Sequence, residues 1–571
     1  MSNSCSDPKS PCSEVLPADS THVSPVIPLA LTTLAATLTA CGGGGSNAGT
    51  ETPLTPVPPP TQETITSVQA SRFLQQASLS VDDAAITQVV SLGYSGWLEA
   101  QFTAPRTQSR WDWMLSQGYQ NSAQNANSFA GADNSLWNKL IAATDPLRQR
   151  IALALSEILV VSMAGLNVAW RGFCIAAYAD LLEDHAFGNY RTLLGAVTLS
   201  TGMGNYLNMR GNQKEDPKTG RQPDENYARE ILQLFSIGLY LLNNDGSLKL
   251  DTSGKPIETY TQDSISGLAK VFTGWDYTGY TSSSPDFHRQ PMSFVASRFS
   301  TSDKSFLGST IQGSVAGPDA LNMALDKIFS HPNVGPFIGR QLIQRLVTSN
   351  PSPAYVGRVA AVFNNNGVGV RGDLKAVIRA ILLDSEARSA PVSQATGWGK
   401  LREPMLRLVQ WARTFGATSP TGIWNIGDTS DPNTRLGQSP MRSPTVFNYF
   451  RPGYIPPNTS LATAGMVSPE LQISNESSVV AYLNYLQNVI ASGVGEVKPD
   501  YTGWLALVDN PAVLMDKINL MLAAGQLSAT TMASIVSAVG TISITTATGR
   551  LNRVRAAILL TMASPEYLVF K

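Results

Sequence analysis

Residues 145–161 read DPLRQRIALALSEILVV. Asp145 is a good N-cap, and Pro146 suits the first helical position, where its missing N–H is no loss. From Leu147 to Val161 the apolar residues fall nearly all round the helix rather than on one stripe. Such a helix is covered on every side, which implies a multi-helix core. Working outward, upstream helices are expected at 70–77, 84–92 and 95–102, with Gly93 as punctuation. Downstream, helices are expected at 169–187, 190–200, 224–242 and 262–275. Further ones follow at 318–330, 334–348, 353–364, 373–387 and 400–415. The spans 471–491, 511–526, 530–542 and 550–570 close the chain. The period changes only at 246–261, where 247–250 and 256–260 flank the turn residues DTSGK and read as a β-hairpin. Residues 276–317 and 417–470 are loop-rich; loops this long are either functional or variable. The expected fold is mostly α, a multi-helix globular domain with one small β-hairpin and long irregular loops.

The chain has 571 residues, with 41 Lys plus Arg against 42 Asp plus Glu and a net charge of -1. That balance excludes a chain built around a basic surface for nucleic acid. Hydrophobic residues make up 43%, charged residues 15% and the mean hydropathy is -0.04. The charged share is low against a typical ~25%. In the main body no apolar run reaches the ~18 residues of a spanning helix.

Of the four cysteines, Cys5, Cys12 and Cys41 precede residue 42, so no disulfide framework is expected in the mature body. Cys174 lies in an apolar helical stretch and reads as a buried structural thiol. Residues 26–40 form a short apolar segment ending Leu38-Thr39-Ala40-Cys41, followed by four glycines. This resembles a bacterial lipobox after a secretory signal, with Cys41 as the lipidated residue. The n-region is poor in charge: only Lys9 stands against Asp7, Glu14 and Asp19. The expected organisation is a signal segment at 1–41, a Gly/Thr/Pro-rich linker at 42–66, a main helical domain at 67–492 and a C-terminal helical segment at 493–571 packing on it. The linker composition suits a tether between a membrane anchor and a folded body.

Several strings then stand in order: ASRFLQQAS (70–78), DENYAREILQLFSIGLY (224–240), YTQDSISGLAKVFTGW (260–275), KSFLG (304–308), HPNVGPFIGRQLIQRLVTSNPSPAYVGRVAAVF (331–363) and LGQSPMRSPTVFNYFRPGY (436–454). Together they closely resemble the bacterial envelope family labelled domain of unknown function 1800 (DUF1800), over about residues 68–490. The resemblance implies an exported, largely helical protein. It also implies a partner, because genes of this family often neighbour those of an exported, sulfatase-like family, domain of unknown function 1501 (DUF1501). In one place the chain departs from the family. Phe299 stands where family members often carry a His, while Asp303 is kept.

The densest polar cluster opens the 224–242 segment. Glu225 and Arg229 are four apart, as are Asn226 and Glu230, so each pair shares a helix face. Two readings fit. Glu225 and Glu230 serve as acid/base or metal carboxylates with Arg229 as an anion clamp, or the charges pair locally on a well-capped helix. Asp263 and Trp275 lie nearby in motif. Residues 435–457 alternate Arg435, Arg442 and Arg451 with Phe447, Tyr449, Phe450 and Tyr454. Such a segment suits a sugar, peptide or anionic polymer, or is a strap packed over the helices. Arg340 and Arg345, with Lys400 and Arg402, are candidates for an anionic-ligand pocket or are simply surface or paired charges.

His185, His288 and His331 show no metal-ligand spacing, so no metal site of common type is expected. His185 could pair with Glu183 or Asp184, and His331 would meet a helix C-terminus as a cation. Residues 367–372 match GxGxxG but follow a helix, so they read as a helix–helix turn with Asp373 capping the next helix. No cofactor is indicated. The expectation is an exported, lipid-anchored envelope protein with a binding or assembly role and a DUF1501-type partner. The alternative is a hydrolase-type envelope enzyme using Glu225, Arg229, Glu230 and Asp263.

Overall fold

Thr66 opens the folded chain with a capping box: its side chain accepts from the Gln69 N–H, and Gln69 answers to the Thr66 N–H. The helix that follows, Ser67–Ala77, buries Ala70, Phe73, Leu74 and Ala77. In this computed structural model residues 64–389 and 397–571 are described. The signal segment, the lipobox Cys41 and the linker up to residue 63 lie outside the described residues. Among the described residues there are 23 α-helices and three two-stranded sheets. The fold is mostly α. None of these helices is long and apolar enough to cross a membrane.

Residues 63–571 form one compact unit. Its largest apolar core is drawn from helices between Ala70 and Trp398, with Met521 added from the C-terminal part. A second core joins Trp137 to side chains from Met405 through Tyr567, on both sides of residue 492. The outermost pairing is Lys400–Leu401 with Val569–Phe570, which fastens the chain's end to its middle.

The buried helix runs over Pro146–Ser156, shorter than the apolar run, and the chain unwinds at Glu157. Asp145 sits at the cap position but makes no cap bond. Its carboxylate instead accepts from Thr107 Oγ1 at 2.7 Å and Gln149 Nε2 at 3.2 Å. The 84–92 and 95–102 helices are one element, Asp83–Thr103, kinked where Gly93 takes φ 72°. Asp373 caps Leu374–Leu382 after the glycine-rich turn, as its sequence context implies.

The expected helix over 224–242 is the main departure. Only Asn226–Gln233 is helical. The Gly238 N–H returns to the Leu232 carbonyl at 3.0 Å, and Gly238 adopts φ 71°, a backbone turn that favours glycine. The residues beyond it join the expected hairpin as a third extended segment. Leu241 N–H donates to Ile257, Ile257 N–H to Lys249, and Lys249 N–H to Leu241, at 2.8–3.0 Å, closing a ring. Antiparallel bridges pair Tyr240 with Glu258, Leu242 with Leu248, and Leu250 with Pro256. Within 276–317 the chain is less irregular than its composition suggests. Trp275–Asp276 pairs with Ser293–Phe294, and Lys304–Phe306 with Ser309–Ile311.

Candidate ligand cleft

Asn333, just before helix Val334–Leu346, clamps the three-segment ring onto that helix. Its amide donates to the carbonyls of Ile237 and Tyr240 at 2.8 Å and accepts from Leu242 N–H at 2.9 Å. At the other end of the helix Gln344 donates to Ser349 and Pro452 carbonyls at 3.0 and 3.2 Å, which holds the 446–453 strap. Between ring, helix and strap lies a cleft of about 420 Å³. Clefts of ~300–1,000 Å³ are the usual size of small-molecule sites. Phe337, Arg340, Gln341 and Gln344 recur at helical spacing, so one face of the helix forms its floor. The ring adds Leu239, Tyr240, Leu242 and Leu248, and the strap adds Val446 and Phe447.

Four of these apolar side chains, Leu239, Tyr240, Leu248 and Phe447, are exposed, and Leu250 and Ile257 extend the apolar character along the ring. Arg340 is exposed too, and among the described residues it makes no hydrogen bond or ion pair. Loss of water lowers its pKa, with no acid close enough to offset the effect. Gln341 is 9% exposed, and its Nε2 has no hydrogen-bond partner among the described residues.

Below the floor is a buried ionic cluster that sequence reasoning largely missed. Arg345 Nε lies 3.0 Å from Glu157 Oε2, and its guanidinium stacks 4.8 Å from the Phe450 ring centre. Lys400 Nζ lies 3.2 Å from Glu470 and 3.6 Å from Glu403. Lys400 and Arg150 both donate to the Arg345 carbonyl, at 2.8 and 2.6 Å. Burial, reinforced by the neighbouring Glu403 carboxylate, pushes the Glu157 pKa up. Burial pushes Glu403 up as well, but Lys400, a hydrogen bond from Glu157, Arg345 and Arg150 outweigh it, so Glu403 stays ionised. Glu157 therefore carries the proton of the pair. One signal was available: Glu157 is the only charged residue in the apolar run 151–161. An isolated charge in such a run needs a buried partner.

The other candidates are placed as follows. Glu225 accepts from Ser266 Oγ at 2.6 Å and Gln262 Nε2 at 2.7 Å, and sits 3.4 Å from Arg229. Glu225 thus ties the start of helix Asn226–Gln233 to helix Gln262–Ala269. Asp263 is exposed in the first turn of the latter helix. Glu230 is 6% exposed, and one of its carboxyl oxygens lacks a partner. Burial raises its pKa, against the pull of Arg229. Trp275 is buried in its two-residue strand. Arg442 holds Asp133 through two bonds of 2.7 Å, and Tyr449 Oη bonds the backbone of Ser439. Arg451 lies over the Phe447 ring at 5.2 Å. The structure thus gathers Arg340, Arg345 and Phe447 at one cleft, and uses Arg442 and Tyr449 for internal ties.

Phe299 is buried, with Lys304 Nζ 4.6 Å from its ring centre. Cys174 is buried, and burial pushes its thiol up to about 12. The expected pairing of His185 meets competition. Glu183 binds Arg110 and Lys139, and Arg106 reaches both Glu183 and Asp184. His331 is not a cation at a helix end: burial, then Lys327 and Arg371, lower its pKa to about 4. Its Nδ1 accepts from Asn333 N–H at 3.1 Å.

Fold and cleft together describe a mostly helical protein with one apolar, cation-bearing cleft above a buried ionic floor. The chain belongs to the family described as Protein of unknown function (DUF1800), whose match covers residues 72–569. That span runs well past residue 490. No curated protein and no solved structure matches the chain.

Proposed function

We propose that this is an exported envelope protein, tethered through a lipid at Cys41, whose work is binding and whose binding site is the cleft between ring, helix and strap. The observation that carries the reading is Arg340: a cation without a counter-ion among the described residues, set among exposed apolar side chains at a concave site. Isolated apolar surface residues need no explanation, but a contiguous patch around a cleft does. The lipobox-like Leu38-Thr39-Ala40-Cys41 and the linker after it support export and tethering. A protein of the DUF1501 type is the partner the family resemblance suggests. The enzyme alternative draws less support, because Glu225 is already engaged with Ser266 and Gln262 of the next helix and with Arg229.

The test is to purify tagged full-length protein from its native envelope and identify what accompanies it by native mass spectrometry. The comparison is Val446→Trp, which fills the cleft. A molecule or protein held by the wild type and lost from the variant supports the reading. A companion that both retain, or none with either, overturns it. Separately, a Cys41→Ala protein that stays on the membrane would overturn the anchor.

A further inference from the structure

The cleft contains two neighbouring donors without acceptors. Arg340 has neither a hydrogen bond nor an ion pair among the described residues, and the buried Nε2 of Gln341 has no partner. A buried donor left unpaired is costly, so Gln341 marks a place where an acceptor belongs. The remaining charges around the cleft do not supply one. Arg345 is a cation already held by Glu157, and Gln344 is spent on Ser349 and Pro452. Among the described residues Glu157 is the sole carboxyl group lining the cleft, and it pairs with Arg345. The local field is therefore positive. Apart from Gln233 the remaining walls are mainly apolar, and they continue outward along Leu239, Leu248 and Leu250.

Resting on the reading of the cleft as the binding site, we infer that its ligand is an anionic amphiphile of the long-chain carboxylate type. The head oxygens take the donors of Arg340 and Gln341, and the aliphatic chain lies along the ring between Leu239, Leu248 and Phe447. An arginine fork matches the two oxygens of a carboxylate, while Gln341 contributes one N–H to the same head. Chain burial supplies the non-directional part of the affinity.

The test uses the full-length chain produced in the cytoplasm, hence without lipid, and calorimetric titration with three probes below their micelle concentrations. These are dodecanoate, dodecanol with the same chain and no charge, and acetate with the same head and no chain. Dodecanoate is expected to bind well and the other two poorly. Arg340→Gln should weaken dodecanoate by about ten- to a hundredfold, since a hydrogen bond to a charged group is worth ~1.5–3 kcal/mol. Gln341→Met should weaken it less, and Arg340→Lys should bind better than Arg340→Gln but worse than the wild type, since an ammonium keeps the charge and loses the fork. Leu248→Asp should abolish binding while Tm holds. Equal affinity for dodecanol, or a silent Arg340→Gln, overturns the ligand class. Failure of dodecanoate overturns it as well, yet leaves the cleft reading standing if the Val446→Trp protein still loses an envelope companion.

Discussion

Arg345 Nε and Glu157 Oε2 lie 3.0 Å apart, with side chains only 2% and 4% exposed. The pair joins helix Val334–Leu346 to the unwound end of helix Pro146–Ser156, beneath the cleft. Its two members are not equivalent. Glu157 holds a proton shared toward Glu403, whereas the Arg345 guanidinium is stacked on the Phe450 ring. Arg345→Met leaves no bare charge at Glu157, but it removes the Phe450 stack and a buried donor, and is expected to cost about 1–3 kcal/mol. Glu157→Gln keeps shape and a donor, and should cost about 1 kcal/mol or less. Urea denaturation of both variants checks this. Equal losses would mean that Glu157 is ionised.

A second expectation concerns pH. His288 is 5% exposed; Thr201 Oγ1 and the Ala169 carbonyl each lie 2.8 Å from its ring nitrogens. Burial lowers its pKa from 6.5 to about 4. The folded pKa is depressed, so between pH 6.5 and about 4 the unfolded chain binds the proton and the folded chain does not. Its contribution to stability is therefore present above the unfolded value and is lost as pH falls through that window, by about 1.4 kcal/mol per pH unit. His288→Gln should lower stability at pH 7 and flatten the slope between pH 6.5 and 4. A variant whose pH profile parallels the wild type would refute the assignment.

Local signals carried most of the helices, because caps and apolar periods act over a few residues. Asp373 and the Gly93 break are examples. What stayed hidden was decided by distant residues. Asp145 has the chemistry of a cap, but Thr107 and Gln149 claim it. The 224–242 pattern is helical throughout, yet Asn333 holds residues 237–242 extended, from almost a hundred positions away. The cleft was half legible. Arg340 and Arg345 were named, but nothing local shows that residues 239–248 and 446–453 close over them. The ionic floor brings together residues 157, 345, 400, 403 and 470, a grouping no spacing rule could supply.

Gly267 offers a packing test. It lies in helix Gln262–Ala269, where a Cβ would overlap the backbone carbonyl of Ser305 in strand Lys304–Phe306. On an open helix, glycine to alanine would stabilise by about 1 kcal/mol. Here the clash is with backbone, which cannot turn aside, so Gly267→Ala should destabilise by about 3 kcal/mol or more. A stabilised Gly267→Ala protein, read by Tm, would show that helix and strand do not pack this way.

Glu225 separates the binding and enzyme readings. Its carboxylate receives Ser266 Oγ and Gln262 Nε2, two bonds between neighbouring helices, while the Arg229 contact is longer and half-exposed. Losing two hydrogen bonds to a charged acceptor should cost about 1–3 kcal/mol, so Glu225→Ala should lower Tm. Arg229→Gln should change stability by about 0.5 kcal/mol or less, as exposed ion pairs contribute little. Neither should alter dodecanoate affinity, because neither residue lines the cleft. The enzyme reading expects the reverse. Both variants would keep their Tm, and both would lose whatever turnover the wild type shows on envelope material. Paired melting and activity measurements on the two proteins decide between these outcomes, and a stable, inactive Arg229→Gln would move the functional centre from the cleft to the start of this helix.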